Sequence, residues 1–267
     1  MPQLILDPVP IGLVFLGIIA ACLLAFEVGF RLGRSRMAGP DKSDTGDGPG
    51  GALTGGMLAL LAFLLAVSMG FSADRFDSRR QNVLEEANTI YALFLQAGYL
   101  PEPYRSDARD LLREYAPLRI VPEGTGSEIE EEIAADIARS EEIQDELWAV
   151  AETAATELEQ TDLLAMFVGS VNDLITIHEV RVTAGVFARV PDTVIFFLLI
   201  LAVLAVGMVG YGAGLTGKRP AVAATLLVVA LGATLTLVID LDRPREGILQ
   251  VSQRPLVEVQ ERMDQMP

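Results

Sequence analysis

Four apolar stretches constrain this chain more than any other feature of its sequence. They cover about residues 10–30, 52–71, 193–211 and 221–239. A helix needs about 20 apolar residues to cross the hydrocarbon core of a bilayer, and a chain in lipid must satisfy its backbone hydrogen bonds within itself. The pattern therefore predicts a membrane protein whose spanning helices form two pairs.

The segment between the two pairs is strongly acidic. From Arg75 to Arg189 it contains 23 Asp and Glu, 10 Arg and no Lys, a charge of −13 out of −16 for the whole chain. Phosphate binding needs clustered Lys and Arg, so nucleic acid is not an expected partner. We expect a water-exposed domain that favours inorganic cations.

Apolar residues at helical spacing follow the second span without a break, at Val83, Ala87, Ile90 and Phe94. This spacing predicts that the second span continues as a helix until Pro101, since proline ends helices. Further amphipathic stretches predict three or four packed helices before the third span, and strand-like alternation is not found. The predicted fold is an all-α membrane protein, with four transmembrane helices and a helical soluble domain inserted between helices 2 and 3.

Four segments follow from this pattern. They are a first transmembrane hairpin over residues 1–74, the acidic helical domain over 75–190, a second hairpin over 191–240, and a charged amphipathic tail over 241–267. No basic residue precedes the first span, which favours a membrane anchor over a cleaved signal peptide.

The orientation depends on the basic residues near the membrane. Eight arginines flank the spans on the side of the domain, against six basic residues in the two loops. The excess predicts a cytoplasmic domain, although the first loop favours the opposite orientation.

Two neighbouring faces of the second span differ in character. Small residues let membrane helices approach closely, and the helix-packing stripe is Gly55, Ala59, Ala62, Ala66 and Ala73. About a quarter turn away is a stripe of candidate pore-lining residues: Gly56, Leu60, Phe63, Val67, Gly70 and Asp74. The alternative is that both faces pack against other helices or lipid.

Two acidic residues lie at or near membrane depth, where ionisable groups are costly and often functional. Glu27 is in the first span and Asp240 is at the end of the fourth. Because both lie near a helix end, we favour a position at the interface, or pairing with Arg75, Arg79 or Arg80.

The string Val209-Gly-Tyr-Gly212 matches the core of a potassium selectivity filter. A filter requires a re-entrant pore helix between two spans, whereas this string closes a continuous apolar span shortly before Pro220. Small residues at a helix end explain the string better.

Sites for chemistry are not evident. His178 is the single histidine, so a paired-histidine metal site is excluded. It shares an apolar stripe with Val171 and Ile175, and we therefore expect a hydrogen-bonded core histidine rather than a proton sensor.

Cys22 is the single cysteine, so no disulfide can form within one chain. We predict a protein that is not an enzyme, with no catalytic residue, metal site or cofactor.

Several motifs resemble a known family. They are Asp74-Arg-Phe-Asp-Ser-Arg-Arg80, Glu85-Glu-Ala-Asn88, Asp240-Leu-Asp-Arg-Pro244, Gly247 and Val251-Ser-Gln253. In these motifs and in its layout, the chain resembles the bestrophin-like membrane proteins of bacteria. The resemblance implies the bacterial inner membrane and a relation to true bestrophins, which are pentameric channels whose second span lines the pore through a hydrophobic neck. Their aromatic-rich neck and calcium-binding acidic cluster are not matched residue by residue.

The motifs place a set of charged residues where membrane and domain meet. This junction set is Arg75, Asp77, Arg79, Arg80, Asp240, Asp242 and Arg243. We expect Asp240 or Asp242 to pair with an arginine at the foot of the second span.

The leading hypothesis is a homo-oligomeric channel, with five subunits favoured and cations preferred, in which Phe63 and Val67 form the constriction. Its partners are other copies of itself, membrane lipid and inorganic ions. The acidic run over residues 123–162 is either a solvated helix face or the lining of a vestibule that concentrates cations. The alternative function is a non-conducting scaffold or sensor whose acidic cytoplasmic helices bind a partner protein; proton-driven motor stators have a related layout.

Overall fold

The computed structural model describes residues 9–37, 49–122, 126–159, 161–186, 190–243 and 247–266. Over these ranges the secondary structure is helical, without a β-strand, as the sequence predicts. The helices are α1 Ile11–Met37, α2 Pro49–Ala97, α3 Tyr104–Leu118, α4 Ser127–Glu157, α5 Asp162–Val186, α6 Asp192–Thr216, α7 Ala221–Asp242 and α8 Arg254–Asp264. Of the predicted connection between the first two spans, residues 38–48, with Lys42, lie outside the described residues, as do Arg189, Pro244 and Arg245.

The chain divides into two compact units. Met1–Arg75 and Arg189–Leu249 form the first, here called the apolar unit, while Phe76–Ala188 and Gln250–Pro267 form the second, the acidic unit. Helix α2 belongs to both, since it is 49 residues long and continues unbroken beyond the end of the second apolar stretch. It ends at Ala97, and α3 begins just after Pro103, so the predicted continuation and its interruption are both confirmed.

Glycines bring α1 and α6 into close contact in the apolar unit. A Cβ atom on Gly210 would overlap the backbone carbonyl of Phe26, and one on Gly214 would overlap that of Phe30. On the facing helix, Gly29 and Gly33 are equally close to the backbone of α6. This small-residue spacing on both helices allows backbone-to-backbone packing.

The outward faces of this unit are also apolar. Leu24 on α1, Phe196 on α6 and Leu226 on α7 are each about two-thirds exposed in the single chain. Water-soluble helices carry polar residues on that side, whereas helices in lipid are apolar all round. The exposure pattern agrees with a multi-pass membrane protein.

Five helices of the described chain are long and apolar enough to cross a membrane by length and composition. Four of them coincide with the predicted spans, and the fifth is α5, the least apolar of the five. The sequence predicts this segment to be part of the soluble domain. Its residues Leu164, Phe167, Val171 and Leu174 are buried in the core of the acidic unit, which accounts for much of its apolar character.

The acidic unit is a helical bundle with its own core. Ile90 of α2, Leu112 of α3, Leu147 of α4 and Leu174 of α5 are fully buried within it. Helix α8 joins the same core through Leu256, Val259 and Met263, whose spacing places them on one face. The predicted tail over residues 241–267 is thus divided, with its first part in the apolar unit and α8 in the acidic unit.

Candidate functional site

The first half of α2 contacts the rest of the apolar unit through a narrow face. Leu61, Leu65, Ser68 and Ser72 are the buried residues of this part of the helix, and their spacing places them along one side. Sequence reasoning missed this face, although two serines four residues apart in an apolar span were a usable signal.

The candidate pore-lining stripe lies outside this contact. All six of its residues, Gly56, Leu60, Phe63, Val67, Gly70 and Asp74, are exposed in the single chain. Phe63 is 63% exposed and Val67 39%. The structure therefore leaves this stripe accessible to lipid, to water or to another subunit.

The helix-packing stripe is exposed as well. Gly55, Ala59, Ala62, Ala66 and Ala73 are all exposed, and a Cβ on Gly55 would meet no atom within 4 Å. Within one chain, α2 packs through neither predicted stripe.

Asp242 connects three segments of the apolar unit. Its Oδ1 accepts a hydrogen bond of 2.8 Å from the backbone N–H of Val190, just before α6. The same oxygen lies 3.6 Å from Nη1 of Arg75, on α2. Asp242 is almost completely buried, so this charge depends on those partners for compensation.

Asp240 holds the chain that follows α7. Its two carboxylate oxygens accept backbone N–H groups from Ile248 at 2.8 Å and from Leu249 at 3.1 Å. Gly247 approaches so closely that a Cβ there would lie 2.9 Å from the Asp240 carboxylate. Asp240 therefore binds the backbone of residues 248 and 249 at close range to Gly247.

A buried ionic network lies in the acidic unit. Glu86 is 0% exposed; its Oε1 accepts a hydrogen bond of 2.7 Å from Nε of Arg119, and its Oε2 accepts one from Nη1 of Arg181. Nη2 of Arg181 donates to Oε1 of Gln253 at 2.9 Å. Two sequence motifs, one containing Glu86 and the other Gln253, therefore meet at Arg181.

Comparison with known families agrees with these motifs. The family model of the bestrophin-like domain matches residues 16–256, which is most of the chain. The chain belongs to the bestrophin-like family. Among curated proteins and among solved structures, no match is found.

The bestrophin-like junction set is distributed over both units. The sequence predicts that Asp240 or Asp242 pairs with an arginine at the foot of the second span, and Asp242 does pair with Arg75. Asp240 instead accepts hydrogen bonds from backbone amides. Arg243 is buried in the apolar unit, and Arg79 is buried in the acidic unit. Asp77 and Arg80 are exposed, and Asp77 accepts a hydrogen bond from Gln81.

Glu27 in this bestrophin-like chain does not form one of the two arrangements that the sequence favours, the pair with Arg75, Arg79 or Arg80. Its carboxylate pairs with Arg31 at 2.8 Å and with Arg219, not with the arginines at the foot of α2. Arg31 is one helical turn away on α1, and Arg219 precedes α7 and stacks over Phe30. Glu27 therefore belongs to an ion-pair cluster with the loop between α6 and α7.

The filter-like string lies inside the continuous helix α6. Carbonyl groups within a helix accept the hydrogen bonds of the following turn, so they cannot replace the hydration shell of an ion. Gly210 instead contacts α1. The preference for small packing residues over a selectivity filter is confirmed.

The acidic run is largely a solvated face of α4. Glu141, Glu142 and Glu146 are exposed, and Arg139 bridges Glu142, Glu146 and Glu114 of α3 at 2.8–3.1 Å.

His178 is buried, as expected for a core histidine, and its Nδ1 lies 3.4 Å from the Tyr115 hydroxyl.

Proposed function

We propose that this chain is a subunit of a homo-oligomeric, cation-conducting channel in the bacterial inner membrane, with the first half of α2 lining the pore. It spans the membrane with α1, the first half of α2, α6 and α7. Helix α5 remains in the soluble bundle, because its apolar face packs into the core of the acidic unit. The proposed role is not enzymatic.

The exposure of both stripes of α2 carries this proposal. A helix that faced only lipid would gain nothing from a row of small residues, whereas a helix between neighbouring subunits would. Around an axis, the stripe of Gly55, Ala59 and Ala62 would contact the adjacent subunit. The neighbouring stripe of Leu60, Phe63 and Val67 would then face the axis.

Phe63 and Val67 are the proposed constriction. Both are large, apolar and exposed in the single chain, and they are one helical turn apart. A ring of such side chains closes a pore by excluding water. Five subunits are proposed because true bestrophins, which the family resembles, are pentamers.

The proposed cation preference is based on charge. The acidic unit contains most of the net charge of the chain, and the carboxylates of Glu141, Glu142 and Glu146 are exposed. Negative groups around an entrance raise the local concentration of cations. The excess of basic residues beside the domain supports a cytoplasmic position for this unit.

Reconstitution in planar bilayers tests the proposal. The purified chain should conduct, and the reversal potential in a potassium chloride gradient should follow potassium. Absence of current over a range of salt and pH would overturn the channel proposal. A reversal potential that follows chloride would overturn only the cation preference.

One observation favours a second function, a non-conducting scaffold. The exposed carboxylates of α4 offer a surface for a basic partner protein. Cross-linking in native membranes separates the two, since a channel should yield ladders of itself and a scaffold should capture a second protein.

A further inference from the structure

A buried imidazole nitrogen faces two carboxylates where α4 and α5 meet in the acidic unit. His178 is fully buried, and its Nε2 is a buried atom without a hydrogen-bond partner. Leaving a buried polar atom unsatisfied is unfavourable. The atom therefore calls for a ligand, and none of the described residues donates a hydrogen bond to it.

The two carboxylates come from both helices. Glu141 on α4 and Glu179 on α5 are exposed, and their oxygens and a ring nitrogen of His178 all lie within 4.8 Å of one another. The Oε1 atom of Glu141 is 4.0 Å from Nε2. Three potential ligand atoms from two helices thus converge on one point at the edge of the bundle.

An ion pair between His178 and Glu141 does not account for this arrangement. Oε1 of Glu141 is 4.0 Å from Nε2 of His178, which is beyond hydrogen-bond distance. Two neighbouring carboxylates and an imidazole nitrogen are instead a set of three electron-pair donors.

We propose that His178, Glu141 and Glu179 bind a divalent transition-metal ion of the zinc class. Neutral imidazole nitrogen and carboxylate oxygen suit zinc and its neighbours, whereas calcium and magnesium take oxygen ligands. Three protein ligands leave one tetrahedral position for water. A single histidine is sufficient for such a site, although it excludes a paired-histidine one.

The surroundings of His178 orient the ring for this role. With its proton on Nδ1, the ring donates toward the Tyr115 hydroxyl oxygen, 3.4 Å away, and the lone pair of Nε2 is left for a ligand. Nε2 of Gln144 donates to the same hydroxyl oxygen at 3.1 Å and holds it in place. Such a second contact commonly fixes the tautomer of a metal-binding histidine.

Small side-chain movements complete the site. Atoms bound to one zinc ion at tetrahedral angles lie about 3.4 Å apart, slightly closer than the three groups here. The histidine is held by burial, while both glutamates are exposed and free to rotate toward it. Bound metal would link α4 to α5, independently of whether the protein conducts ions.

Zinc binding to the full-length protein in detergent tests the proposal. Zinc chloride, titrated calorimetrically into metal-free protein, should saturate at one ion per chain, and calcium or magnesium should not compete. Glu141→Gln and Glu179→Gln should each weaken zinc binding at least about tenfold. Glu152→Gln, an exposed carboxylate on the same helix α4, is the matched control and should bind as the wild type does.

Cobalt provides an independent readout. The cobalt-loaded wild-type protein should show the visible absorption bands of a cobalt ion with few nitrogen and oxygen ligands. The His178→Gln variant should lack these bands, while its circular dichroism spectrum should match that of the wild type. If His178→Gln fails to fold, the two glutamate variants decide the matter. Lack of saturable zinc binding, or binding that neither glutamate variant weakens, would overturn the proposal.

Discussion

The carboxylate of Asp242, at the end of α7, accepts a hydrogen bond of 2.8 Å from the backbone N–H of Val190, just before α6. Arg75 of α2 lies 3.6 Å from the same oxygen. One side chain thus connects the beginning of α6, the end of α7 and the middle of α2.

Asp242→Asn should therefore destabilise the protein. The amide keeps an acceptor for Val190 but loses the charge that compensates Arg75, and charged hydrogen bonds contribute about 1.5–3 kcal/mol each. Thermal unfolding in detergent should show a lower Tm. The control is Asp192→Asn, because Asp192 is an exposed aspartate at the start of α6; this variant should leave Tm nearly unchanged. Equal falls in Tm for Asp242→Asn and Asp192→Asn would contradict the connecting role of Asp242.

Gly210→Ala should disrupt the contact between α1 and α6. Its new Cβ would overlap the backbone of Phe26, and overpacking of this kind costs about 1–3 kcal/mol. Gly212→Ala, two residues along the same helix, meets no atom within 4 Å and serves as the control. The expected result is a clear fall in Tm for Gly210→Ala alone; unchanged stability would mean that the two helices are not in backbone contact.

Glu86→Gln should be the most destabilising of these substitutions. It removes the negative charge between two buried guanidinium groups, those of Arg119 and Arg181. Breaking a buried ion pair in this way costs about 3–5 kcal/mol. Glu85→Gln is the matched control, because Glu85 is the adjacent residue and is exposed. Chemical unfolding followed by circular dichroism measures the difference, and a similar midpoint for both variants would refute the structural role of the network.

Phe63→Ala should change conduction if the proposed constriction is correct. A smaller side chain at an apolar neck admits water more readily, so single-channel currents should increase or closures should become rarer. Phe196→Ala, which removes a similarly exposed phenylalanine from α6, is the control. Currents of the Phe63 variant that match those of wild type would remove Phe63 from the pore.

Much of the architecture could be predicted from local sequence. The continuation of α2 beyond the membrane followed from Val83, Ala87 and Ile90, whose spacing matches one face of a helix. The break before α3 followed from two prolines. These features depend on residues close together in the chain, which is why a single sequence was sufficient for them.

The pairings could not be predicted in the same way. Glu86 and Arg181 are 95 residues apart, and nothing in the local pattern around either residue names the other. For Glu27 the sequence favoured either a position at the interface or a pair with an arginine of α2. The pair that forms is with Arg219, because the loop between α6 and α7 brings that arginine to α1. The burial of Ser68 and Ser72 was also missed, although two serines four residues apart in an apolar span were a usable signal.

The sequence by itself determined that this protein is helical, has apolar spans and carries a separate acidic segment, since hydropathy and helical period are local properties. Only the tertiary structure decided which face of α2 packs within the chain, and which carboxylate compensates which guanidinium. A membrane helix is apolar on all sides, so its hydropathy does not distinguish the buried face from the exposed one. That distinction arises from the shapes of neighbouring helices, such as the glycine surfaces of α1 and α6.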